Sequence, residues 1–194
     1  TNVTEETRIK VQRAADQLNF TLSKSASALA SGKTMRVILL VSGKLNEWFN
    51  SGVLQGVYEE LAPVGYDVTP AFITDRSELD RFFSQLPKSR NADAIIISSF
   101  QLMPAMRDQL QAIDLPTVGV NVPAESGYFD ASISIDNSSA MTMAVRLLRS
   151  LGHTNIAFCS DYIPADMVYN TSQRTQAFAD AAQANATDGI TFSL

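Results

Sequence analysis

The sequence predicts an α/β protein built on a parallel, doubly wound sheet. From residue 35 onward, strand-like and helix-like segments alternate at intervals of about 25–30 residues. The strand-like segments are nearly continuous apolar runs such as RVILLVS at 36–42, which is typical of strands covered on both faces. The segment before residue 35 has a helical, small-residue pattern instead. We therefore expect a helical unit and a linker ahead of the sheet.

The composition is that of a soluble globular protein. Of its 194 residues, 45% are hydrophobic and 18% are charged. No apolar run approaches the roughly 18 residues of a spanning helix, and the N-terminus lacks the pattern of a signal peptide. Its one cysteine, Cys159, cannot form an internal disulfide. These features favour the cytoplasm and no contact with a membrane.

The charge of the chain is unevenly distributed. Residues 1–36 hold six Lys or Arg against three acids, a net charge of +3, whereas residues 37–194 hold nine against seventeen, a net of −8. A basic arm on an acidic body suggests that the arm is the part that meets a polyanion. An ordinary solvated helix explains the charge of the arm equally well.

Two helical segments are predicted in the arm. TEETRIKVQRAADQL at 4–18 begins with the good N-cap Thr4 and carries Glu5 and Glu6 in its first turn, where the helix dipole favours acids. A Ser/Ala-rich stretch at 23–34 predicts a short helix at about 25–31 that stops at Gly32. Because so short a helix is unstable in isolation, we expect it to form only when it docks.

The remainder alternates regularly. The predicted strands are 36–42, 66–72, 92–99, 115–121, 131–137 and 155–160, and the predicted helices are 49–64, 77–86, 103–113, 138–152 and 171–185.

Several stretches, taken in order, resemble the LacI/GalR family of bacterial transcriptional regulators. TEETRIKVQRAADQLNF is similar to the last helix of that family's helix-turn-helix domain, and SASALASGKT stands where the family has its hinge helix. SISIDN, LGHTNIAF and QRTQAFADA resemble three further family segments. Each motif is weak by itself, but their common order along the chain makes the resemblance specific.

The resemblance implies a domain organisation. Residues 1–22 would be the end of the helix-turn-helix domain, 23–34 the hinge helix, 35–153 the N-terminal lobe of a periplasmic-binding-protein-like effector domain, and 154–194 the start of its C-terminal lobe. Family members are longer, so we expect a fragment without the first helices and without most of the second lobe. The implied partners are double-stranded operator DNA, a sugar-like effector and a second copy of the chain, in the nucleoid.

The resemblance also implies DNA-binding residues. Leu29 matches the family leucine that wedges into the minor groove, where an apolar side chain unstacks one base step. Ala26 and Ala30, one turn apart, are small enough for two hinge helices to approach closely. Ser27 and Ala28 are further candidate DNA-binding residues, and Lys24 and Lys33 are candidates for phosphate contacts. Ser27 replaces the arginine usual in the family. The alternative is that Leu29 only packs a linker onto the body.

Candidate effector-binding residues lie where parallel strands end, since open α/β sheets bind ligands at that edge. Trp48, Phe49 and Asn50 follow the first strand and combine aromatic faces with an amide. Phe49, Asn50 and Arg174 also match family contacts, although packing at a corner or on a helix surface remains the alternative. The remaining candidates follow later strands: Ser98, Asn121, Asp136 and Asn137.

No catalytic, metal or cofactor site is predicted. His153 is the one histidine, and with one cysteine the sequence has no zinc cluster and no recognisable nucleophile–histidine pair. VSGKLNEW lacks the glycine pattern of a phosphate-binding loop. We therefore expect a regulator, not an enzyme. The alternatives are an exported sugar-binding protein, which shares the body fold, and a small α/β enzyme.

Overall fold

A computed structural model describes residues 3–18, 32–89, 91–122, 129–160, 169–186 and 191–193. The chain divides into two compact units, Thr1–Met35 and Arg36–Leu194, and each is described by itself.

The first unit contains helix α1, Glu5–Gln17. The carbonyl of Thr4 accepts a hydrogen bond from the backbone N of Arg8, so Thr4 stands at the start of the helix as predicted. Lys10 Nζ lies 2.9 Å from Glu6 Oε1, an i,i+4 pair on the surface that contributes a few tenths of a kcal/mol. The apolar stripe of α1 is exposed, with Val11 64% and Leu18 78% accessible.

The second unit alternates strands and helices. Its strands are β1 Arg36–Ser42, β2 Asp67–Ile73, β3 Ala94–Ser98, β4 Thr117–Val120, β5 Ala131–Ile133, β6 Asn155–Ala157 and β7 Thr191–Ser193. Its helices are α2 Trp48–Leu61, continued by a 3₁₀ turn Ala62–Val64, α3 Arg76–Ser89, α4 Pro104–Ala112, α5 Asn137–Ser150 and α6 Asn170–Ala184.

The main sheet has five parallel strands in the order β2-β1-β3-β4-β5. The chain moves outward from β1 in one direction to β2 and in the other to β3, β4 and β5, which is the doubly wound arrangement predicted. Leu39, Leu40 and Val41 of β1, an inner strand flanked by β2 and β3, are fully buried. The continuous apolar run of this strand is therefore explained by helices on both faces.

Two apolar cores lie in the second unit. The larger one packs the main sheet against α3 and α4, and its members include Leu79, Phe83, Phe100 and Met106. The smaller one consists of Val145, Ile156, Phe178 and Ala181. It joins α5 and α6 to the separate parallel pair β6–β7.

The last third of the chain differs in detail from the sequence prediction. The strand predicted at 131–137 ends at Ile133, because Asp136 caps helix α5 and Asn137 is already helical. The strand predicted at 155–160 spans Asn155–Ala157, and β7 was not predicted. Helix α5 contributes Val145 to the smaller core although the sequence assigns it to the first lobe.

Candidate ligand-binding site

The carboxyl ends of the central strands meet at one edge of the main sheet. Val41 of β1 pairs with Ser98 of β3, and Ser98 pairs with Val120 of β4, so the segments that follow these strands are neighbours. The start of α6 reaches the same edge, because the backbone N of Asn170 donates to the carbonyl of Ser99 at 3.0 Å. This edge is where ligands bind in open α/β sheets.

A chain of polar side chains joins this edge to the starts of α5 and α6. Its members, which we call the amide cluster, are Ser99, Asn121, Asn137, Asn170 and Arg174. Asn170 Nδ2 donates to the carbonyl of Asn121 at 3.0 Å and also to Asn121 Oδ1. Asn137 Nδ2 donates to Asn170 Oδ1, and Arg174 Nε donates to Asn137 Oδ1 at 3.2 Å. Asn121 Nδ2 lies 3.4 Å from Ser99 Oγ, at the long end of a hydrogen bond.

The amide cluster is buried and locally strained. Asn170 is 1%, Asn137 6% and Asn121 7% accessible. Burying an amide is costly unless it is hydrogen-bonded, which the bonds within the cluster achieve. Ser99 and Asn121 have φ values of 73° and 52°, in the left-handed region that non-glycine residues rarely adopt. Such conformations concentrate at functional sites.

Ser98 lies beneath the cluster. It is fully buried, and its Oγ is 3.4 Å from Ser99 Oγ. The sequence-predicted residues Ser98, Asn121, Asn137 and Arg174 are thus brought together in space.

Asp136 has a different environment. Its carboxylate accepts hydrogen bonds from Ser139 N at 3.0 Å and Ser139 Oγ at 2.7 Å and so caps the N-terminus of α5. These bonds, the backbone one first, hold the pKa of Asp136 below its ordinary value. The side chain is exposed, and its hydrogen-bonding capacity serves the helix.

The first turn of α2, directly after the loop that follows β1, carries the aromatic candidates. Trp48 is 83% exposed and contacts Phe49 edge to face, with ring centroids 5.6 Å apart. Asn50 is 3% accessible, and its Nδ2 donates to the carbonyls of Ser42 and Lys44 at 2.7 and 3.1 Å. The amide of Asn50 therefore fixes the loop that presents the two rings.

The predicted DNA-binding residues are largely beyond what the structure describes. Lys24, Ala26, Ser27, Ala28 and Leu29 lie outside the described residues. Lys33 is described and exposed.

Asn170 is the residue that the sequence prediction missed. A helix was predicted from residue 171, so Asn170 stood just outside it and was not paired with Arg174. The available signal was the i,i+4 spacing of Asn170 and Arg174, which places them on one face of a helix.

Two cavities lie at the opposite edge of the main sheet, where β3 and β4 begin. Their volumes are about 330 and 570 Å³, and both are lined by Asp114 and Leu115. The smaller is also lined by Leu86, Ile113 and Asn91, while Asp130 lines the larger. The carboxylate of Asp130 accepts hydrogen bonds from the backbone N and the Oγ1 of Thr117. Both bonds lower the pKa of Asp130, and the backbone bond contributes more. Neither cavity has the group of converging side-chain amides and a guanidinium that the carboxyl edge of the sheet has. We therefore take the carboxyl edge as the ligand site.

The amide cluster suits a small polar ligand. Amides offer both donors and acceptors, and a guanidinium offers a planar fork that matches vicinal hydroxyls or a carboxylate. Among the described residues, no group of three His, Cys, Asp or Glu side chains could hold a metal ion. None of the described helices is long and apolar enough to cross a membrane.

Comparison with curated proteins finds relatives among bacterial repressors. The HTH-type transcriptional repressor PurR of Vibrio cholerae is 30% identical over 162 residues, which cover 82% of this chain and 47% of the relative. The ribose operon repressor of Lactococcus lactis is 26% identical over 182 residues, or 93% of this chain and 53% of the relative. No protein-family model matches the chain.

Solved structures show the same fold. The lac repressor dimer bound to operator and the anti-inducer ONPF has a TM-score of 0.77 at 19% identity and covers all of this chain, which in turn covers 57% of it. A LacI family regulator from Lactobacillus casei with bound glucose has a TM-score of 0.60 at 26% identity, covering 81% of this chain and 58% of that one. The first likeness, at its low identity, supports the fold alone.

The sheet order and the site at its carboxyl edge define a periplasmic-binding-protein-like α/β fold, as predicted. The sequence relatives are bacterial repressors, and the chain is similar to regulators of the LacI/GalR family, as its motifs predict. The chain spans about half the length of the curated relatives it matches.

Proposed function

We propose that this chain is part of a bacterial transcriptional regulator that binds operator DNA as a homodimer and is controlled by a sugar-like effector. The observation that carries the proposal is the amide cluster with Arg174, where the main sheet meets helices α5 and α6 of the smaller core. The relatives named above are repressors, and none of them is an exported sugar-binding protein. The regulator is therefore favoured over that alternative, and a cytoplasmic location follows from its work on DNA.

The proposed effector site combines the amide cluster with the first turn of α2. Arg174 and Asn137 would bind hydroxyl or carboxylate groups, and Trp48 and Phe49 would cover an apolar face of a sugar ring. The Lactobacillus casei regulator was solved with glucose and with sucrose, and the related CelR with cellobiose. These sugar-bound structures favour a sugar over other small polar molecules.

The proposed mechanism is a population shift. An effector that contacts both the main sheet and α6 favours one relation between the two cores over another. That preference changes the relation of two protomers and so the affinity for operator DNA. We propose the DNA contacts that the sequence predicts: Leu29 as the minor-groove wedge, and Lys24 and Lys33 as phosphate contacts.

DNA binding is tested by fluorescence anisotropy on a labelled operator-like duplex, with the protein at the full length of its relatives. We expect binding that weakens linearly in log–log form as salt is raised, since basic residues displace counterions from phosphates. Leu29→Ala should weaken binding to this duplex more than to a random duplex. If no salt-dependent binding is measured, the proposal that the protein is a DNA-binding regulator is wrong.

Effector binding is tested by calorimetric titration with ribose, glucose, sucrose and cellobiose. For a sugar that binds, Arg174→Lys should weaken binding by about tenfold or more, because lysine lacks the planar fork. Arg146→Lys on the exposed surface of α5 is the matched control and should leave the affinity unchanged. If both variants behave alike, Arg174 is not an effector contact.

A further inference from the structure

The amide cluster has a fixed polarity at both of its ends. At one end stands the backbone carbonyl of Asn121, which can only accept a hydrogen bond, and at the other stands the guanidinium of Arg174, which can only donate. Asn170 and Asn137 lie between them. An amide carries a donor and an acceptor on opposite sides, so two amides in series can link these ends in one consistent orientation.

The orientation of each amide follows from its neighbour. Because the carbonyl of Asn121 requires a donor, Nδ2 of Asn170 faces it, and Oδ1 of Asn170 is turned to Asn137. Asn137 must then donate with its own Nδ2, which leaves its Oδ1 for Nε of Arg174. A flip of either amide would set two acceptors or two donors against each other in a buried place, at the cost of an unmade hydrogen bond.

We infer that Asn170 is a positioning residue, which holds the guanidinium of Arg174 in place through Asn137. Asn170 is 1% accessible and anchored on the main sheet by its backbone N as well as its side chain. The bond that the structure describes for Arg174 uses Nε, so the terminal nitrogens are the part of the fork that a ligand engages. The consequence for effector recognition rests on the proposed function, but the positioning itself does not.

The test is the solvent exchange of the Arg174 Nε proton, measured by nitrogen-15 NMR on the 194-residue chain without ligand. Asn170→Leu keeps the size of the side chain and removes both its donor and its acceptor. Asn137 then loses its fixed orientation, and we expect the Arg174 Nε proton to exchange about tenfold faster or more. Arg76, whose Nε donates to Asp80 at 2.9 Å on α3, should be unchanged in the same spectrum.

Asn185→Leu is the matched control variant. Asn185 accepts a hydrogen bond from an arginine directly, Arg149 at 3.0 Å, at the far end of α6. This variant should leave Arg174 exchange unchanged. If Asn170→Leu does not fold by circular dichroism, Asn170→Ser is measured instead, because its hydroxyl can still donate near the helix start but is too short to reach Asn137.

An Arg174 exchange rate equal to that of the wild type in the folded Asn170 variant overturns the inference. Equal acceleration in the Asn170 and Asn185 variants also overturns it, since the effect would then be general loosening of α6. Neither outcome depends on DNA or sugar, so a failure here is distinguishable from a failure of the proposed function.

Discussion

Asparagine is the residue type from which the candidate site is built, and its two-sided amide is the reason. Asn121, Asn137 and Asn170 are separated by up to 49 positions in the sequence, yet they form one buried series of hydrogen bonds. Asp in place of either bridging Asn would lack the donor that the series requires. The site is therefore held by neutral groups and keeps Arg174 as its charged member.

The sequence could identify part of this site and not the rest. Asn137 and Arg174 were found because they stand in motifs that resemble family segments, and Asn121 because it follows a strand. Asn170 carries no such motif. Its partners come from β4 and α5, so its role depends on tertiary contacts that no local pattern encodes.

Gly119 is a position where one added methyl group should lower the stability of the fold through steric overlap. In β4 its Cβ would stand 2.7 Å from Val122 Cγ2 and 2.8 Å from Phe129 Cδ2, closer than real Cβ contacts. We expect Gly119→Ala to reduce the free energy of unfolding by about 1–3 kcal/mol, as overpacking does. Urea unfolding followed by circular dichroism measures it.

Gly52→Ala is the control for the Gly119 substitution. Gly52 lies within α2, and nothing approaches its Cβ position within 4 Å. Alanine there should raise the free energy of unfolding by about 0.5–1 kcal/mol, because glycine is a poor helix former. Equal effects at the two positions would contradict the packing argument for Gly119.

At the scale of elements, the apolar pattern predicted the main sheet well because its inner strands β1 and β3 are largely buried. It overextended the segment 131–137, since the alternation of SISI continues into a polar pair that begins a helix instead. The Asp136–Asn137–Ser138–Ser139 sequence is itself a helix-start signal, and here it prevails over the strand pattern. β7 is three residues long and too short for periodicity to detect.

The cap of α5 makes stability depend on pH. The pKa of Asp136 is lowered from 3.8 by its bonds to Ser139, so the ionised carboxylate stabilises the folded chain above that pH. As the pH falls through the lowered pKa, this contribution is lost. We expect Asp136→Asn to be less stable than the wild type near neutral pH, with the difference in urea midpoint shrinking below pH 3.8.

Asp108→Asn, in the middle of α4, is the control for removing one negative charge that does not stand at a helix N-terminus. Its urea midpoint should not show the pH-dependent difference assigned to Asp136. A wild-type advantage over Asp136→Asn that stays constant down to the most acid pH measured would refute the capping explanation.

At the scale of the whole molecule, the body from Arg36 onward contains two cores of unequal size joined at the amide cluster. Among the described residues, the larger core has twelve buried apolar side chains and the smaller core has four. Burial of apolar surface is the main source of stability, so the smaller core should open more easily. The sequence indicated the strands of the main sheet and β6 but gave no measure of this inequality.

Hydrogen exchange measures the inequality directly. Amides of β1, such as Leu39 and Leu40, should exchange only through global unfolding, because their strand is an inner, buried one. Ile156 and Phe192, which pair in the three-residue strands β6 and β7, should exchange at least about 100-fold faster through local opening. Equal protection of the two sheets would mean that the hydrogen bonds of Asn170 couple the cores into one cooperative unit. In that case Asn170→Leu should accelerate exchange in β6 and β7 and leave β1 unchanged.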